Sequence, residues 1–172
     1  MIQIQFVKEE YERWIRALDR VLSVAVKEIE DNMQYRCAVE YAHLVVENIY
    51  NQIHMENYAP LSKRYKEWKE KHFPNRGFWR LKDDLVRNIG VFRYDKGFVG
   101  GIPAGVMDSG GKSWDLKGKP KEIAMYAKGG EYGIKGKRPA RPIFTPSMEE
   151  YSEKKWIKQG DMALKIIGDA WR

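Results

Sequence analysis

The chain reads as an α+β protein: a long N-terminal helical segment, a small antiparallel β-sheet and a C-terminal helix. Three observations carry that reading. From Lys8 to Asn57 there is neither proline nor glycine, and the apolar residues step by three or four. Twelve of the fifteen glycines lie between Gly90 and Gly136, where the texture changes to that of strands and loops. Thr145-Pro146, followed by Glu149 and Glu150, then opens a second helical pattern. With 172 residues, 43% of them hydrophobic and 13% aromatic, there is material for one core. A single domain over 1–172 is expected, helical over 1–73, β-rich over 74–144 and closed by a helix over 145–172.

In the first segment, one apolar set runs through Trp14, Leu18, Leu22, Ala25 and Ile29, and a second through Ala38, Ala42, Val45, Ile49 and Ile53. Nine residues separate Ile29 from Ala38, which at about 100° per residue sets the stripes roughly half a turn apart. The helix therefore either breaks near Glu30-Asp31-Asn32 or stays continuous and faces two partners. Pro60 cannot continue a helix interior, and Ser62 to His72 reads as a short charged helix with Tyr65, Trp68 and the Lys69 stem inward. Pro74-Asn75-Arg76-Gly77 ends it.

Val86 to Tyr94 alternates, Asp95-Lys96-Gly97 forms a three-residue turn, and Phe98 to Ile102 returns, which predicts a β-hairpin. Pro103 to Pro120 lacks periodicity and is expected to be an exposed, mobile excursion over about 103–120. Lys121 to Lys128 suits a short helix ending at Gly129-Gly130, with Glu131 to Ile143 rejoining the sheet. In the final helix, capped by Thr145, the expected inward stripe is Trp156, Ala163, Ile167 and Trp171.

The charge is uneven: Lys112 to Arg141 holds nine basic and three acidic residues of a chain whose net charge is +7. Clustered cations suit phosphate, an acidic protein surface, or a solvated loop. The lysines of this cluster expected to face DNA or an acidic partner are Lys112, Lys117, Lys119, Lys121, Lys135 and Lys137. No apolar run is long enough to span a membrane and no leader-like segment precedes Lys8, so a soluble, unsecreted protein without membrane contact is expected. Cys37 sits in a helical pattern and reads as a packed thiol.

No catalytic constellation converges in the sequence, so no enzyme activity, metal or cofactor is expected. His43 and His54 lie eleven residues apart without an accompanying H-E-x-x-H pattern. His72 ends a basic helix and suits its negative terminus. Gly100-Gly101, Gly110-Gly111 and Gly129-Gly130 match neither G-x-x-x-x-G-K-[ST] nor G-x-G-x-x-G. Basic and aromatic residues interleave at Arg64 to Lys69 and Phe78 to Arg80, as in surfaces that stack bases, but Glu67 and Glu70 point to a solvated helix in the first case.

Two segments carry a family resemblance. Tyr126-Ala-Lys-Gly-Gly-Glu-Tyr-Gly133 resembles the Y-A-x-x-x-E-[FY]-G signature of phage tail-completion and virion-morphogenesis proteins, whose members also serve as neck proteins. Pro139-Ala-Arg-Pro-Ile-Phe144 is similar to their P-A-R-P-[FI]-[FL] signature, at a similar distance downstream and before a C-terminal helix. Upstream, Tyr58-Ala-Pro-Leu-Ser62 is similar to W-x-P-L-S, and Leu85-Val-Arg-Asn-Ile89 to L-x-x-S-I. Lys82-Asp83 departs from the Thr-Gly of many relatives, and 103–120 looks like an insertion.

The resemblance implies a structural virion protein, made in the host cytoplasm, that forms a ring at the head–tail junction. Its implied partners are further copies of itself, connector or adaptor, tail terminator and tail-tube proteins, with non-specific duplex DNA contact for the basic loop. Pro139 and Pro142 fix φ on either side of Arg141 and present it at little entropic cost, with Glu131 as its expected partner in the chain. Glu131, Arg138, Arg141 and Phe144 are the expected docking residues. A free nucleic-acid-binding protein is the alternative that the sequence pI near 9.3 suggests.

Overall fold

The computed structural model describes residues 8–56, 58–80, 83–95, 97–109, 111–112, 117–118 and 120–171. Their arrangement is the expected α+β one, with a long N-terminal helix, small antiparallel strand pairs and a C-terminal helix. The N-terminal helix is continuous. Three α-helical stretches, α1 (Lys8–Arg20), α2 (Val26–Glu28) and α3 (Gln34–Asn51), are joined by π-helical turns at Val21–Ala25 and Ile29–Met33. At a rise of about 1.5 Å per residue this rod is about 65 Å long. Gln52, in the left-handed conformation at φ 57°, ends it.

The π turns resolve the two stripes. The inward residues Val21, Ala25, Ile29, Met33, Cys37, Tyr41, Val45 and Ile49 recur every fourth position. Seven such steps would carry a uniform α-helix about 280° around its axis, off any single partner. Each π turn accommodates one extra residue and takes back about 100°, so one face stays inward along the whole rod. Leu22 and Trp14, expected inward, are instead at least half exposed, and Leu18, Val21 and Ala25 face the partner.

That partner is the last helix, α7 (Phe144–Trp171). It runs antiparallel to the rod: Ser147 bonds Asn48, Tyr151 meets the Tyr41 ring at 6.2 Å, Gln159 reaches Glu40, and Trp171 meets Trp14 at 6.4 Å. Gly160 interrupts nothing. Trp156, expected on the inward stripe, has its side chain outside the described residues.

Lys63–His72 forms α4, the short charged helix that its sequence predicts, and the structure adds a cap in which the Ser62 hydroxyl accepts from the Tyr65 N–H. The hairpin is shorter than expected. Asp84–Arg87 is a helical turn, α5, which buries Leu85 and Val86; the strands are β1 (Gly90–Tyr94) and β2 (Gly97–Gly101). Tyr94 pairs with Gly97, so the turn has two residues, and the positive φ of 53° falls on Asp95 rather than glycine. The hairpin lies on α3, where a Cβ on Gly100 would come within 2.5 Å of the Ala38 carbonyl oxygen. Phe98 packs edge-on against Tyr35.

The segment expected to be an excursion is tied down at its flanks. Backbone bonds join Asp108 to Lys121 and Val106 to Ile123, and Ser109 bonds the Asp84 carboxylate through both its N–H and hydroxyl. Within it, Gly111–Lys112 (β3) pairs antiparallel with Lys117–Gly118 (β4). Helix α6 (Ile123–Glu131) runs through Gly129-Gly130 instead of ending there. Glu131 to Ile143 does not rejoin the sheet: a single bridge, Ile134 to Arg138, makes a local turn with Gly133 and Gly136 at positive φ. Tyr41, Val45 and Ile49 from the rod, Leu85 and Val86 from α5, Ile123 from α6, and Ile143 and Tyr151 from the last segment share one core.

Candidate functional site

Three of the four sequence segments singled out above, Tyr58 to Ser62, Tyr126 to Gly133 and Pro139 to Phe144, converge on one joint at the start of α7, while Leu85 and Val86 lie in the core. Glu131, 7% exposed at the end of α6, is the centre of the joint. Its carboxylate accepts the backbone N–H groups of Ile143 (2.8 Å), Phe144 (3.1 Å) and Thr145 (2.8 Å). These are the orphan donors that open an α-helix, so Glu131 caps α7 from outside its own sequence and meets the positive end of its dipole. The expected capping by Thr145 is thereby corrected. Thr145 lies inside the first turn, which begins at Phe144.

The Glu131–Arg141 pair also does not form. Arg141 turns the other way: its Nε and Nη2 donate to the Ala59 carbonyl at 3.2 and 2.9 Å, Nη2 donates to Pro60, and the guanidinium lies over the Phe78 ring. The planar fork of arginine matches a pair of adjacent carbonyls as it matches a carboxylate. Tyr58 completes the clip by donating its hydroxyl to the Pro142 carbonyl, and the Arg141 N–H donates to Gly130. Tyr58 to Ser62 is thus laced to Pro139 to Ile143, and that segment in turn is laced to α6.

Trp79 fills the remaining space. It holds φ at 63°, uncommon for a bulky residue, and its ring lies on Gly130, where any Cβ would overlap it, and edge-on to Phe144. Behind it, Lys69 is buried and donates to the Gly77 carbonyl. Burial, with Arg141 and Arg80 nearby, pulls its ammonium down to about 8. Arg141 is likewise lowered by burial and by Arg138. Asp83 pairs with both Arg76 and Arg80, whose hydrogen bonds hold its carboxyl below the ordinary range despite its burial.

A second polar cluster pins the rod to α7. The Asn48 amide, 3% exposed, donates to Ser147 Oγ at 3.0 Å and to Glu150 Oε2 at 2.9 Å. His54 Nε2 meets the same Glu150 oxygen at 2.9 Å, and Lys154 donates to the other at 2.7 Å. Lys154 first, then Asn48 and His54, hold the Glu150 carboxyl at about 2. From the sequence Glu150 is expected only as an acid in the first turn of the helix, but α7 begins at Phe144, which puts it in the second. Its histidine partner stands 96 residues away and shows no local signal.

Of the expected docking residues, Glu131 and Phe144 are committed to the joint, Arg141 to the clip, and half-buried Arg138 lies with Nη2 against Gly129. Lys121, Lys135 and Lys137 are exposed; the side chains of Lys112 and Lys117 and the whole of Lys119 lie outside the described residues. His43 is exposed, and His72 bonds the Trp68 carbonyl at 2.8 Å and stacks on its ring. Among the described residues there is no group of three or more metal-ligating side chains and no helix long and apolar enough to cross a membrane. Comparison with protein-family models, curated proteins and solved structures finds no match.

Proposed function

We propose that this chain is a structural subunit of a tailed-phage particle, a neck or tail-completion protein that forms a ring between connector and tail. One observation carries the reading: three of the four segments that resemble the phage signature are brought together in a single joint, and their named side chains and backbone groups bond one another. Tyr58, Gly130, Glu131, Arg141 and Pro142 spend their hydrogen bonds on setting the start and direction of α7. That is the duty of an architectural motif. In this reading Arg141 and Glu131 fix the C-terminal helix that an assembly uses, and the neighbouring copy meets the surfaces around the joint.

The exposed lysines Lys121, Lys135 and Lys137 suit sequence-independent attraction to duplex DNA or an acidic neighbour. Mass spectrometry of purified particles produced with the genome that encodes this chain tests the proposal, together with deletion of its gene. The chain is expected in the particles, and deletion should leave filled heads and unattached tails. Normal particles after deletion would overturn it.

A further inference from the structure

The rod and α7 leave the core as a two-helix arm. Two helices cover only one side of each other, and on this arm the uncovered side is apolar. On the rod, the residues one position after the inward Val21 and Ala25 are Leu22, 61% exposed, and Val26; Tyr11 and Ile15 continue that stripe toward the tip. On α7, Leu164, Ile167 and Trp171 each follow an inward residue by one, and Ile157, 72% exposed, continues the line. In an antiparallel pair, a half-turn about the normal to the pair's plane superposes one helix on the other without exchanging faces. The two stripes therefore share one face of the arm.

From their fractional exposures, these side chains present roughly 800 Å², close to the area each partner contributes to an ordinary stable interface. It exceeds the apolar patch of about 300–600 Å² that a typical monomer leaves open. We propose that this face is covered by the same face of a second copy, the two arms closing a four-helix bundle. A second antiparallel helix pair is the occupant whose shape completes two helices into a bundle, and this chain carries one with a matching apolar face. The inference goes beyond the neck role and stands on the arm alone.

Sedimentation velocity of the full chain, with Leu22→Asp and Leu164→Glu measured separately, tests it. The 20.2 kDa chain should sediment as a dimer at tens of micromolar. Either variant should weaken association at least tenfold while retaining the helical circular dichroism, and Tyr94→Asp, on the hairpin, should leave it unchanged. A wild-type monomer at that concentration, or any oligomer that survives both arm variants intact, would overturn the proposal. Finding the chain at a phage neck with a monomeric solution state would sink the arm pairing and leave the neck role standing.

Discussion

Removing the Glu131 carboxylate should unseat α7. Its two oxygens satisfy the N–H groups of Ile143, Phe144 and Thr145, at 2.8 to 3.1 Å, in a site 7% exposed. Charge-assisted hydrogen bonds contribute about 1.5–3 kcal/mol each, but three on one carboxylate do not add, because water and the backbone relax around what is lost. Glu131→Ala is expected to cost about 3–4 kcal/mol. Glu131→Gln keeps one acceptor oxygen and turns an amide N–H toward the helix donors, so about 2 kcal/mol is expected. For a chain of this size these correspond to drops in Tm of roughly 8–14 °C and 4–8 °C. Glu149→Gln, an exposed acid in the second turn of the same helix, should cost no more than about 0.5 kcal/mol. Thermal and urea unfolding followed by circular dichroism at neutral pH reads all three. If Glu131→Gln unfolds within about 0.5 kcal/mol of the wild type, the capping role is refuted.

Three further outcomes follow from the same contacts. Arg141→Lys keeps the charge but not the planar fork on Ala59, and should lower stability by about 1–2 kcal/mol in urea unfolding; equality with the wild type would exclude the clip. Gly130→Ala should displace the Trp79 ring, lowering stability by about 1–3 kcal/mol with a change in tryptophan fluorescence, whereas Gly160→Ala, which meets open space, should not destabilise. Because folding holds the Glu150 carboxyl at about 2, below its ordinary value of 4.5, its contribution is present above about pH 5 and is lost as the pH falls toward 2. Glu150→Gln should therefore cost about 1–2 kcal/mol at neutral pH, allowing for solvent screening, and the gap should close by about pH 2; a gap that persists there would contradict the role assigned to Lys154, Asn48 and His54.

The helices were legible because their signals are local. Ser62 before a charged run, the absence of glycine and proline from the rod, and apolar periodicity each act within a turn or two of the residue concerned. The hairpin was legible in kind but not in bounds, since Leu85 and Val86 suit a buried helical turn as well as a strand. The π turns left a trace that was misread: apolar residues every fourth position from Val21 to Ile49 cannot all face one way on a uniform α-helix. Treating the rod as ideal split one face into two.

The joint could be recognised as special but not assembled from the sequence. Glu131 was expected to take Arg141, the obvious opposite charge, yet three helix-opening N–H groups outcompete it, and Arg141 is satisfied by carbonyls 82 residues upstream. Lys69 is expected as a stem along a helix surface, whereas its ammonium is buried and donates to the Gly77 carbonyl eight residues on. The apolar face of the arm poses the reverse problem. Leu22 looked like core because periodicity reports that a residue is covered, not whether the cover belongs to the same chain.

The head–tail assignment is tested most directly by labelling intact particles with antibody against this chain and imaging them by electron microscopy. Label confined to the junction of head and tail is the predicted result. Unlabelled particles, with the chain recovered only from the soluble fraction of the lysate, would contradict it.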